Sequence, residues 1–141
     1  MKIVVLKFGG TSVGTIEKIK KVTDIIIEHK KKKNKVIVVS SAMSGVTNDL
    51  IKKSKQISNN FIDSEYDVLV SSGEQVACSL IAGRLNHKGF KSRSWLGWQI
   101  PIFTNGPYTN SRIQQVNKNK LLRFLKEGGI PIITGFQGVN M

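Results

Sequence analysis

The chain has a single cysteine, Cys78, in 141 residues, so no disulfide can tie it internally. Its neighbours, Val76-Ala77 and Ser79-Leu80, make Cys78 read as a small buried hydrophobe in a reducing compartment, and no Cys-His arrangement marks it as a nucleophile. Only two histidines occur, His29 and His87, both at predicted helix ends, and no His/Cys/Asp/Glu spacing resembles a metal site. No apolar run approaches the ~20 residues of a membrane-spanning helix. The opening Met1-Lys2-Ile3-Val4-Val5 lacks a long apolar region with a small-residue cleavage site, so a cytoplasmic rather than secreted protein is expected. Acidic residues are scarce too, nine against 22 basic ones, for a net charge of +13.

That charge raises a nucleic-acid reading, which its distribution weakens. Lys30 to Lys33 and Lys35 cluster at a predicted helix C-terminus, where cations complement the macrodipole. Lys52, Lys53 and Lys55 lie on another predicted helix, and no aromatics interleave with them as stacking platforms. A solvated lysine-rich surface is the expectation, with neither nucleic acid nor membrane as partner. The length fits one domain, able to hide roughly 68–70% of its unfolded surface.

Apolar patterning alternates between two periods. Residues 2–8 and 35–40 read as buried strands of a parallel sheet. Residues 15–32 carry Ile16, Ile19, Val22, Ile25 and Ile26 at helical spacing. A helix is expected from Thr47 to about residue 58. Residues 65–71 suit strand or helix, with Ser72-Gly73-Glu74 as a break before a helix over 75–86. Residues 90–96, 112–116 and 130–134 read as strands, 98–103 as a Pro-interrupted segment and 119–126 as a helix. The alternation predicts an α/β fold with a mostly parallel sheet.

In such sheets ligands bind beyond the strands' carboxyl ends, and three predicted strands end in groups suited to an anion. The first ends in Lys7-Phe8-Gly9-Gly10-Thr11-Ser12. Its glycines permit positive φ and close approach, Lys7 adds charge, and Thr11 and Ser12 offer hydroxyls and a helix cap. The second ends in Ser40 and the loop 41–45, with Thr47 beyond; the last ends in Thr134-Gly135. Glu74 opens the helix over 75–86, where a carboxylate also serves as a dipole partner. Phosphoryl transfer needs mainly positioning and charge neutralisation, which these groups offer. Neither Gly-x-x-x-x-Gly-Lys-Ser/Thr nor Gly-x-Gly-x-x-Gly is present.

Lys7-Phe8-Gly9-Gly10-Thr11-Ser12-Val13, the segment Val38 to Asn48, Ser72-Gly73-Glu74, Ser94 to Gln99 and Ile133 to Gly138 together resemble five ordered signatures of aspartokinases. The resemblance implies an amino acid kinase-like open αβα sandwich. It implies transfer of the ATP γ-phosphoryl to the β-carboxylate of L-aspartate, the first step toward lysine, threonine and methionine. Lys7 would be catalytic, and Lys7, Phe8, Gly9, Gly10, Thr11 and Ser12 would face the ATP phosphates. Ser40, Thr47 and Glu74 would line the aspartate pocket, with Glu74 on the amino group. Mg²⁺ would arrive with ATP and no metal site of the protein's own is implied. A Gly-Arg-Gly-Gly-Ser-Asp-like segment, the rest of the nucleotide site and the regulatory domains have no counterpart here. Residues 1–141 are therefore expected to be the amino-terminal portion of an amino acid kinase domain, apparently truncated. The alternatives are an inactive fragment of a truncated or split gene, or a non-catalytic half that needs a partner chain. A homo-oligomer or a complementing chain would then be the macromolecular partner.

Overall fold

The computed structural model of the chain describes residues 2–140. Ten elements follow in order: β1 (Ile3–Phe8), α1 (Ile16–Lys31), β2 (Lys35–Ser40), α2 (Val46–Ile57), α3 (Asp63–His87), β3 (Ser92–Trp95), β4 (Ile102–Asn105), β5 (Arg112–Val116), α4 (Asn119–Lys126) and β6 (Ile130–Thr134). Four strands form a parallel sheet in the order β1-β2-β6-β3, and β4 and β5 form a separate antiparallel hairpin. The α/β class and the mostly parallel sheet are as the patterning predicts.

Strand alternation divides the core in two. On one face Val36, Val38, Ile130 and Ile132 meet Ile19, Val22 and Ile26 of α1 and Ala77, Ile81 and Leu85 of α3. On the other, Ile133 and Trp95 pack with Ile100, Ile102 and Leu121, against Ile37, Val39 and Phe124. β6 is buried throughout. Its Pro131 is tolerated because pairing with β2 begins only at Ile132, so its missing N–H leaves no gap in that ladder.

Two sequence expectations are corrected. β1 is not buried on both faces: Ile3 and Val5 are 47% and 61% exposed, because α1 and α3 cover one side of the sheet while the other side at β1 has no covering helix. Nor does Ser72-Gly73-Glu74 break a helix, since α3 runs unbroken for 25 residues through it. The Ser71 and Ser72 hydroxyls donate back to the carbonyls of Val68 and Leu69, so these serines are satisfied within the helix. Gly73 is there for proximity. A Cβ on it would stand 3.0 Å from Ala42 Cβ and 3.1 Å from Val46 Cγ1.

Gly83, ten residues further along α3, has open space where its Cβ would be. The two glycines should respond oppositely to alanine. Gly83→Ala gains helix propensity of about 0.5–1 kcal/mol and should raise Tm by about 2–6 °C. At Gly73→Ala the same gain is outweighed by overpacking of about 1–3 kcal/mol, and Tm should fall. Thermal melts followed by circular dichroism check both.

Candidate active site at the strand ends

Phe8, Ser40 and Thr134, the last residues of β1, β2 and β6, are in register side by side. The ladder continues one step beyond them, with Ser41 N–H donating to Phe8 O (3.0 Å) and Gly135 N–H to Ser40 O (2.9 Å). The loops 9–15, 41–45 and 135–138 therefore leave the sheet along a common line. At Gly10 a Cβ would lie 3.0 Å from the Ala42 carbonyl, so the first two loops touch through bare backbone.

The first loop departs from expectation in two respects. Gly9 and Gly10 do not adopt positive φ; the left-handed glycine at this edge is Gly45, at φ 85°. What Gly10 provides is close approach. The cap of α1 is Thr15, whose hydroxyl accepts the Lys18 N–H at 3.2 Å, because residues 9–13 first close two tight turns (Ser12 N–H to Gly9 O, Val13 N–H to Gly10 O). Thr11 and Ser12 are thus left exposed and uncommitted to capping.

Between the first two loops, α2 and α3 lies a cavity of about 430 Å³, lined by Gly10, Thr11, residues 41–45, Thr47, Asn48, Glu74 and Phe136. Glu74 is its charged wall. It sits twelve residues into α3 rather than in a first turn, so the dipole-partner reading of this carboxylate is excluded. It is 4% exposed, Oε1 accepts the Ala42 N–H at 3.3 Å, and Oε2 has no partner. Burial pushes its pKa above the usual carboxylate range, and the backbone N–H bonds only partly offset this. Opposite stands the start of α2, where Gly45 supplies no side-chain cap. The first-turn N–H groups of Thr47 and Asn48 have no partner within the helix. One carboxylate and a cluster of free donors thus share a single cavity.

Of the other sequence-predicted residues, Lys7 lies on the opposite face of the sheet. It is in register with Val39 and exposed, whereas Phe8 turns its ring into the first core. Ser40 is fully buried, and its hydroxyl donates to the Ser41 carbonyl (3.1 Å), so Ser41 rather than Ser40 lines the cavity. Cys78 is buried one turn beyond Glu74. Burial, with the Glu74 charge adding, pushes its thiol up to about 12, in keeping with the inert reading.

Sequence reasoning missed Ala42, whose N–H holds Glu74, and Gln137. The latter's Oε1 accepts the Gly97 N–H and the Thr134 hydroxyl, both at 2.9 Å, while its Nε2 donates to the Ser71 carbonyl at 3.1 Å. The glutamine stands within a recognised motif, but a linker among three elements has no local sequence signature.

Two outcomes follow. A buried carboxylate with a raised pKa opposes folding progressively as pH climbs from the ordinary carboxylate value through its folded one. Glu74→Gln keeps the acceptor for Ala42, so it should raise Tm at pH 7–8. The gain should vanish as pH falls toward about 4.3, the ordinary glutamate value; melts across pH read the difference. Cys78 should resist iodoacetamide in the folded chain and react once denaturant is added, as mass spectrometry would show.

Comparison with known proteins accords with this geometry. Residues 2–141 match the amino acid kinase family. Aspartokinases from Geobacillus stearothermophilus and Rickettsia bellii are 48% and 45% identical over 99% of this chain, which covers 34% and 35% of their lengths. The chain thus spans about a third of the curated relatives it matches. Aspartate kinase from Synechocystis superposes with a TM-score of 0.81 at 37% identity, over 99% of this chain and 22% of that one. E. coli aspartokinase III, in complex with aspartate and ADP, shares the fold (TM-score 0.82, 21% identity, 99% of this chain and 42% of that one). The chain belongs to the amino acid kinase family, and it is similar over 99% of its length to aspartokinases, of which it corresponds to an amino-terminal part.

Proposed function

We propose that this chain is the amino-acid-binding part of an aspartate kinase. The observation that carries the reading is Glu74: a buried carboxylate with a free oxygen, facing the uncapped start of α2 across a cavity of about 430 Å³. Leaving a carboxylate oxygen buried and unpartnered is costly, and an ammonium group would satisfy it. The N–H groups of Thr47 and Asn48, with the nearby hydroxyls of Ser41, Ser44 and Thr47, suit a carboxylate. A zwitterionic amino acid matches both ends. The aspartokinase relatives make L-aspartate the specific candidate, and the aspartate and ADP bound to E. coli aspartokinase III support the same pair of ligands.

In the reaction so assigned, a β-carboxylate oxygen of aspartate attacks the γ-phosphorus of ATP. The bond to the β,γ-bridging oxygen breaks, and ADP leaves with that electron pair. Lys7, at the end of β1, stabilises charge on the transferred group from the far side of the sheet edge. Gly9 to Ser12 bring backbone N–H groups and hydroxyls between the two. Mg²⁺ would be carried in on the phosphate oxygens of ATP, where it would neutralise charge. A second reading, a half-site completed by another polypeptide, is favoured by the exposed Ile3 and Val5 face and the unpaired edge of β1.

Calorimetric titration tests the assignment. L-aspartate should bind the chain saturably, and Glu74→Gln and Thr47→Val should each weaken binding about tenfold or more, the expected loss for one charge-assisted hydrogen bond or ion contact. Equal affinity for wild type and Glu74→Gln would remove the amino-group role of Glu74. No binding by a chain that melts cooperatively would remove the proposal.

A further inference from the structure

A second cleft lies away from the strand-end cavity, between β3, the loop after it and α4. It measures about 480 Å³, within the usual range for small-molecule sites. Arg93, Trp95, Trp98, Lys120, Arg123 and Phe124 line it. Aromatic rings make its walls: Trp95 and Phe124 meet edge to face at 5.8 Å, and Trp98 is 64% exposed. Its charge is positive. Arg93 stacks on Trp95 at 4.5 Å, and among the described residues neither it nor Arg123 forms a salt bridge. Lys120 donates only to the Gln99 carbonyl, at 3.2 Å. The single carboxylate on the rim, Glu127, is paired with Lys91 at 2.6 Å and lies within the field of Arg123, so one acid stands against Arg93, Lys120 and Arg123 and the lining keeps a net positive charge. The Trp95 indole Nε1, in a residue 6% exposed, is buried without an acceptor and adds an unmet donor to the same wall.

We infer that this cleft binds a small organic anion that carries a planar ring, its phosphate or carboxylate held by Arg123 and Lys120 and its ring laid against Trp98. Guanidinium groups suit such oxygens in two-point contact, and an exposed indole offers a stacking face. The site is independent of the strand-end cavity, with which it shares no residue.

Trp95 and Trp98 are the chain's only tryptophans and both line the cleft, so intrinsic fluorescence reports occupancy there directly. The probe is phenyl phosphate, with inorganic phosphate and phenol as half-ligands. A saturable fluorescence change with phenyl phosphate is expected, at a midpoint about tenfold below that of inorganic phosphate. Arg123→Gln and Lys120→Gln, both on the exposed face of α4, should each raise that midpoint about tenfold with an unchanged melt. A response that is absent, linear in concentration, matched by phenol or unmoved in both variants overturns the inference. Equal midpoints for phenyl and inorganic phosphate overturn its ring component. Unchanged aspartate binding in the same variants separates this outcome from that of the strand-end site.

Discussion

One turn of α3, residues 71–74, holds the strand-end site together. Two loops are moored to it. The Ser71 carbonyl receives Gln137 from the loop after β6, and Glu74 receives the Ala42 N–H from the loop after β2. Between them Gly73 lets the helix backbone lie against Ala42 and Val46 at a separation that a side chain would prevent. A glycine in a helix interior costs about 1 kcal/mol, and Glu74 adds the cost of a buried, half-satisfied carboxylate. Both expenses fall in the same turn, and both are explained by the site rather than by the fold. Backbone economy alone would favour alanine at 73 and an apolar residue at 74.

The sheet shows the same division between what the fold requires and what it leaves open. Its α1/α3 face is closed by an apolar core, and β6 is enclosed on both sides. Its other face is covered over β6 and β3 by α4 and the residues around Ile100, and it opens toward β1, where Ile3, Val5 and Lys7 look outward. Two apolar side chains beside a lysine, on an edge strand with unpaired backbone groups, form a surface that ordinary edges avoid. Lys7 is held in place by the β1 backbone, and among the described residues its side chain makes no hydrogen bond or ion pair.

Periodicity made most of the architecture legible. The runs at 2–8, 35–40 and 130–134 and the helical spacing at 16–26 each produced the expected element, although burial was narrower than the patterns mark, since Ile3 and Val5 of β1 and Ile16 and Ile25 of α1 are exposed. Failures came where one residue type serves two physical ends. Gly73 read as a break because glycine more often ends helices than thins them for packing, and tertiary contact overrode propensity. Gly9 and Gly10 read as positive-φ residues, whereas proximity to the Ala42 carbonyl is what Gly10 provides and the left-handed position fell to Gly45. Exposure of β1 was unreadable in principle, since a doubly apolar strand reports what its faces can tolerate and not what covers them. In the site, residue type pointed to Glu74 and Thr47, but placement of Ser40 turned on strand parity. As the last residue of β2 it shares its face with Val36 and Val38, which points it into the core.

On the proposed reading, the same parity decides where phosphate and aspartate meet. Lys7 belongs to one face of the sheet and Glu74 to the helix layer on the other. An amino acid anchored through its ammonium group at Glu74 and a phosphate drawn by Lys7 approach each other only past the strand ends. Between them runs the segment 9–12. A side chain at residue 10 would press on the Ala42 carbonyl and push apart the two loops that must close around the acceptor. Position 10 therefore has to be glycine for a reason of distance. On that reading the reacting atoms would meet beyond the sheet, because the buried Glu74 and the strand-end Lys7 are held on opposite sides of it.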